Sequence, residues 1–161
     1  MLNRPEIIKG GIYTDERGRM RFVNDFPLKN MQRFYLIKHD DVSVVRAWQA
    51  HRFEEKYFFA VAGKFLIAWV EIDNFDHPNM HLKASFHILT HNQSEILHLP
   101  AGYANGMMAL EPGSELLVFS PFSLQSSGED NYRFDKSLWF DWDAHRESGI
   151  SGQKEDIPDK N

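Results

Sequence analysis

Cysteine is absent from the 161 residues. That omission removes disulfide bonds, thiolate nucleophiles and cysteine-ligated zinc or iron–sulfur sites. A long apolar run is missing too: no segment approaches the roughly 18 apolar residues of a membrane helix. The opening MLNRPEIIKGG also lacks the apolar centre of a signal peptide, so a cytoplasmic protein away from the membrane is expected. Positive charge is scarce, with 18 Lys and Arg against 23 Asp and Glu. The resulting net charge of −5 speaks against a general nucleic-acid binder, which needs a positive field to attract phosphates. A few arginines gathered in a cleft could still form a local anion site. Phosphate-loop, GxGxxG and HExxH patterns, internal repeats, coiled-coil heptads and long amphipathic helices are all lacking.

Aromatic residues are abundant. The 13 Phe and four Trp supply enough apolar surface for one domain with a sizeable core. They recur in short runs with β-branched residues, separated by Gly, Pro, Asn and Asp, the pattern of an antiparallel barrel or sandwich. Strands are expected over 33–38, 43–48, 56–62, 64–72, 82–89, 95–99, 106–110 and 116–120, with a shorter one over 19–23 after a turn at 15–18. Gly63 reads as a tight turn between two apolar runs, and EPGSE over 111–115 as a hairpin. The apolar pattern stops past Trp142. The expected organisation is a single all-β jelly-roll domain over 1–144, followed by a polar, mobile tail over 145–161.

The chemistry concentrates in VVRAWQAHRFEEKYFFAVAGKF, residues 44–65. In extended chain Gln49 and His51 share a face, with Trp48 and Ala50 on the other. Arg46, His51 and Lys56 would form a cationic pocket floor, lined by Tyr57, Phe59 and Trp69 where their register points inward. An arginine fork suits phosphate or carboxylate. Histidine exchanges protons near neutrality, and lysine stabilises a developing oxyanion. Together these types suit proton abstraction beside a sugar carbonyl. The plain alternatives are a hydrogen-bonded structural histidine, edge-strand charges at Arg46 and Lys56, and aromatics that simply fill the core.

The same stretch resembles the first motif of the cupin superfamily, two histidines, a glutamate and a glycine, at Gln49, His51, Glu55 and Gly63. The second motif resembles Pro100, Gly102 and Asn105. Two of the three histidines expected as ligands are amides here, and an amide is a poor transition-metal ligand beside imidazole. No metal and no cofactor are therefore expected. His77, His81, His87, His91 and His98 show no compact ligand spacing.

Within the cupins, DERGRMRF, the 44–73 stretch, LHLPAGYANGM and DNYRFD resemble the dTDP-sugar branch over about 120 residues. That branch holds the dTDP-4-dehydrorhamnose 3,5-epimerases and the dTDP-4-keto-6-deoxyhexose 3,4-ketoisomerases, including WxcM-like proteins. The resemblance implies a double-stranded β-helix, a homodimer, a metal-free site and a dTDP-linked sugar ligand in surface-polysaccharide synthesis. The epimerase base matches Gln49, a second epimerase histidine matches Asn105, and the tyrosine acid falls near Phe119 or Phe122. None of these can do acid–base work at neutral pH. The ketoisomerase pattern fits better. It implies His51 as the proton shuttle, Tyr35 as donor to the enediol oxygen, Lys56 and Arg46 for enolate or diphosphate, and Asp135 (or Asp141) as acidic partner of His51. Arg17 and Arg19 would bind phosphate across a dimer interface, and Tyr132 and Trp69 would stack on the ligand. Three functions stay open: a metal-independent isomerase or epimerase of a nucleotide-linked keto-deoxysugar, an inactive cupin that binds a sugar or nucleotide-sugar, and a metal-dependent cupin.

Overall fold

Residues 3–148 are described by the computed structural model. The β-branched and aromatic runs form β1 (Glu6–Lys9), β2 (Gly11–Asp15), β3 (Gly18–Phe22), β4 (Arg33–His39), β5 (Val45–Ala50) and β6 (Lys56–Ala62). They continue as β7 (Lys64–Glu71), β8 (Ser85–Thr90), β9 (Glu95–Leu99), β10 (Tyr103–Ala109), β11 (Ser114–Ser120) and β12 (Tyr132–Arg133). Two short helices follow β11 and β12, α1 (Leu124–Glu129) and α2 (Trp142–Ser148). One sheet has the order β1-β9-β6-β11-β4 and the other β12-β5-β10-β7-β8, while β2 and β3 form a separate hairpin. The chain crosses repeatedly between the sheets, as in β9, β10 and β11, and the result is the jelly roll read from the sequence.

The two sheets bury different amounts of surface, and the sequence shows why. Between them lie Phe58, Leu97, Leu116 and Val118 of the first sheet and Phe65, Ile67, Leu89 and Met107 of the second. The outer face of the second sheet is covered as well: Trp48, Leu66, Ala68, Val70 and Met108 pack with Trp142, and Phe134, Trp139 and Phe140 close over them. Consequently β7 is buried at every position from Phe65 to Val70 instead of alternating. The outer face of the first sheet leaves Phe34 and Leu36 largely exposed.

The aromatic segment after β12 therefore packs into the domain, as its place within 1–144 implies. The expected boundary at 144 falls inside α2, where the His145 ring stacks on Phe140 at 4.3 Å and Arg146 donates to the carbonyl of Val42. The remainder of the expected tail, 149–161, lies outside the described residues. Gly63 has φ of +65° in the β6–β7 turn, a conformation that favours glycine.

Candidate active site

A cavity of about 480 Å³ opens between β4 and β6 of the first sheet and β5 and β10 of the second. Its walls follow from strand alternation with one exception. On β10, Asn105 pairs with Gln49 and Met107 with Arg46, so two steps on β10 span three on β5. This β-bulge turns both Arg46 and Gln49 into the cavity and sends Trp48 to the outer core. Gly106 lies at the bulge because a Cβ there would come within 2.7 Å of both Ala47 Cβ and the Trp142 ring. Tyr35 of β4 and Lys56 of β6 complete the lining, together with Ser127 of α1 and Asn131.

The cavity is cationic. Among the described residues Arg33, Arg46, Lys56 and Arg133 line it and no carboxylate does. Arg46 and Arg133 make no side-chain hydrogen bond or ion pair among the described residues, so their donors are open to a ligand. The Tyr35 hydroxyl likewise bonds no described residue, and burial raises its pKa. Gln49 instead donates to the Asn131 side chain at 3.0 Å, and Asn105 donates to the Gln49 carbonyl at 3.1 Å.

Behind Lys56 lies a compact ionic cluster centred on Glu54, whose side chain is wholly buried. Its Oε1 accepts from Lys56 Nζ at 2.6 Å, Ser120 Oγ at 2.6 Å and Arg33 Nη2 at 3.2 Å. Its Oε2 has no hydrogen bond but stands 3.3 Å from His51 Nδ1. Burial pushes the Glu54 carboxyl up, and hydrogen bonds from Lys56, Ser120 and Ser127 outweigh it, leaving its pKa lowered. Burial lowers the Lys56 pKa against the opposing pull of Glu54.

His51 is buried beside this cluster and does not line the cavity. Its Nδ1 meets the backbone carbonyl of Asp130. A carbonyl can only accept, so Nδ1 carries the proton and the neutral ring keeps its lone pair on Nε2. That Nε2 is buried without a partner. Burial, then the Lys56 charge, lowers the imidazole pKa, while Glu54 and Asp130 pull it up. The Asp130 carboxylate accepts the backbone N–H groups of Arg52, Phe53 and Glu54, each at 2.8 Å, and so fixes the loop that carries the cluster.

Five residues read from the sequence thus meet in one cavity: Tyr35, Arg46, Gln49, Lys56 and Asn105. Others do not reach it. Asp135 is exposed and accepts from Ser137, so Asp130 and Glu54 occupy the place beside His51 expected for it; Asp141 accepts from Ala144 at the start of α2. Tyr57 points to the outer face, where it stacks on His98, and Trp69 belongs to the inter-sheet core without lining the cavity. Tyr132 packs on Phe75 under Arg52. Arg17 pairs with Asp15, and Arg19 donates to the carbonyl of His91, so neither lines the cavity of its own chain. Glu55, the cupin glutamate position, accepts from Tyr57 and meets His98 on the outer face. Among the described residues no group of three or more His, Asp or Glu side chains could hold a metal ion.

Arg33, Glu54, Asp130 and Arg133 were not singled out in the sequence. The spacing of Glu54 and Lys56, two apart on an extended segment, is the available signal for Glu54. Arg33 and Tyr35 share a face by the same rule. Nothing local marks Asp130.

No family model matches the chain, and no curated protein matches it. Solved structures do match. The rmlC epimerase of Mycobacterium tuberculosis superposes with a TM-score of 0.71 at 16% identity, over 88% of this chain and 75% of that one. A double mutant of the QdtA 3,4-ketoisomerase of Thermoanaerobacterium thermosaccharolyticum, in complex with TDP, gives 0.66 at 20% identity over 83% and 90%. The RmlC dTDP-6-deoxy-D-glucose-3,5-epimerase of Legionella pneumophila, in complex with dTDP-4-keto-L-rhamnose, gives 0.69 at 19% identity over 86% and 78%. The chain therefore shares the jelly roll of the RmlC-like cupins, the fold of the branch that its motifs resemble.

Proposed function

We propose that this protein is a metal-independent isomerase or epimerase that moves a proton on a nucleotide-linked 4-keto-6-deoxyhexose, in the supply of sugars for surface polysaccharide. The observation that carries the reading is the cavity's division into two parts. Arg46 and Arg133 offer unpaired guanidinium groups suited to a diphosphate. Lys56 is buried and Tyr35 half-buried, whereas Arg46 and Arg133 are exposed, so the first pair lines the interior, where a ketone oxygen would gather charge.

In this reading His51 Nε2 takes a proton from the carbon beside the carbonyl. The electron pair moves to the carbonyl oxygen, giving an enolate that Lys56 or Tyr35 stabilises. The imidazolium then returns the proton to the same carbon (epimerisation), or to the former carbonyl carbon while the hydroxyl proton of the first carbon passes to the former carbonyl oxygen, leaving the ketone on the first carbon (ketoisomerisation). Gln49, tied to Asn131, serves as a hydrogen-bonding wall. A homodimer belongs to the same proposal. The β2–β3 hairpin joins no other sheet and exposes Tyr13 and Met20, and Phe34 and Leu36 are exposed on the first sheet. A second copy would cover such surface and receive Arg17 and Arg19 from the hairpin.

Incubation with a dTDP-4-keto-6-deoxyhexose in deuterated water tests the chemistry. Deuterium should enter the ring carbon beside the ketone and should fail to enter in His51→Asn. One observation favours a second reading, a binder without chemistry: His51 is behind the wall of the cavity instead of in it. Saturable binding without exchange would establish that reading and sink the first.

A further inference from the structure

We infer that Glu54 is the positioning residue of this cavity, a single buried carboxylate that holds Lys56 on one oxygen and faces His51 with the other. The inference rests on the proton-transfer reading above and adds a part that neither the cupin motifs nor the dTDP-sugar resemblance supplied.

The two oxygens of Glu54 are treated unequally. Oε1 takes three donors, from Lys56, Ser120 and Arg33, which come from three different strands. Oε2 takes none, although it is buried, and a buried carboxylate oxygen without a partner is costly. Its neighbour is His51 Nδ1 at 3.3 Å, whose one proton is directed at the Asp130 carbonyl. His51 carries the complementary deficit, an unpartnered lone pair on buried Nε2. One event brings the two groups into electrostatic partnership. When Nε2 accepts a proton the ring becomes an imidazolium, and Oε2 already stands beside the new positive charge as its counter-ion. A carboxylate placed this way orients a histidine and stabilises the charge it acquires without becoming protonated itself.

The same carboxylate keeps the ammonium of Lys56 fixed in the cavity wall. The charged groups around His51 are Glu54 and Lys56 from its own segment and Asp130 from beyond α1, with Arg33 of β4 reaching Glu54. Proton uptake at His51 and negative charge on the substrate oxygen near Lys56 then arise together, one on each side of Glu54.

Glu54→Gln tests the role, since it keeps the shape and an oxygen acceptor but removes the charge. Binding of dTDP should stay within about threefold of wild type, because the open arginines at the mouth are untouched. Deuterium exchange should fall about 100-fold, and the pH limb belonging to His51 should move to lower pH as the imidazolium loses its counter-charge. Glu54→Asp, which retains that charge, should recover part of the exchange. Wild-type exchange with an unshifted limb in Glu54→Gln overturns the inference. Should wild type show no exchange at all, the isomerase reading falls, and Glu54 is judged by the His51 imidazole titration followed by NMR. An identical titration in wild type and Glu54→Gln then overturns it. If Glu54→Gln does not fold, the His51 titration is compared between Lys56→Met and the double variant Glu54→Leu/Lys56→Met, which differ only at Glu54, and an identical titration in these two has the same force.

Discussion

Two clusters of similar composition begin one residue apart in the chain. Glu54 and Lys56 turn inward, to His51 and the cavity; Glu55 and Tyr57 turn outward, to His98. The outer cluster is closed. His98 lies between Glu55 at 2.7 Å and Glu6 at 3.3 Å, Tyr57 donates to Glu55 at 3.2 Å, and the two rings stack at 4.3 Å and 6°. The inner cluster leaves His51 Nε2 and Glu54 Oε2 unpartnered, and its cavity holds arginines with free donors. Residue types alone would nominate both clusters for acid–base work. Unmet hydrogen-bonding demand singles out the inner one, because a protein that needs a group only for structure satisfies it. Among the described residues the one other buried side chain with unpartnered atoms is His39, whose ring packs against Phe65 away from the cavity lining.

Replacing consecutive residues of β6 gives the largest contrast. Lys56→Met leaves the Glu54 carboxylate buried, with Arg33 at 3.2 Å as its remaining cation. Breaking a buried pair from one side should cost about 3 kcal/mol, and deuterium exchange should drop below detection. Tyr57→Phe on the opposite face removes one hydrogen bond, should cost about 1 kcal/mol, and should leave exchange as it was. Urea unfolding and the exchange assay read both variants. Equal losses in the two would mean that the faces are energetically equivalent, and the distinction drawn from unpartnered atoms would collapse.

What the sequence made legible follows the same division between local and distant causes. Most strand positions could be read because alternation and breakers are local, and β6 appears with its expected bounds, whereas β1, β2 and the two-residue β12 were not among those expected. The helix α1 could not, because LQSSGE has no apolar stripe and its Ser123 cap is a weak signal by itself. The aromatics after β12 fell within the expected domain of 1–144, but that they cover the outer face of the second sheet is set by tertiary packing and was not read from the sequence. In the site, Tyr35, Arg46, Gln49, Lys56 and Asn105 share the cavity as alternation and resemblance implied. Even so, Arg46 and Gln49 face the same way only through the bulge. Asp135 was chosen by its place in DNYRFD, whereas contact with His51 belongs to Asp130, five residues earlier, through a backbone carbonyl that no side-chain motif encodes.

The cavity itself contrasts an open mouth with a charge-compensated interior. Arg46→Ala and Arg133→Ala should each weaken dTDP binding about tenfold, the scale of a lost hydrogen bond to a charged group. Neither should shift the unfolding midpoint measurably, since neither side chain is tied into the structure. Salt near 1 M should weaken wild-type binding and narrow the difference between wild type and variants, because the mouth is exposed to screening. Calorimetric titration with dTDP checks this. If Arg33→Ala, which removes a cation already bonded to Glu54, Ser127 and the Phe122 carbonyl, were the only arginine variant to weaken binding, the mouth would lose its role as the anion site.

The smallest effect is expected where the outer cluster is opened. The hydrogen bond from His98, opposed by burial, is the first cause of the lowered Glu55 pKa. A carboxyl lowered on folding stabilises the protein above its unfolded pKa, about 4.3 for glutamate, and that contribution is lost as pH falls through the folded value. His98→Gln should therefore cost about 1 kcal/mol near neutral pH, with the cost shrinking as pH is lowered from about 5 to about 3, where the carboxyl protonates in wild type too. Thermal unfolding of both proteins across that range measures it. Exchange at the cavity should be unchanged in His98→Gln, since its ring meets Glu55 and Glu6 on the outer face and neither lines the cavity. A large loss of exchange would show that the outer cluster reaches the chemistry through the strand, and the separation of the two faces of β6 would have to be abandoned.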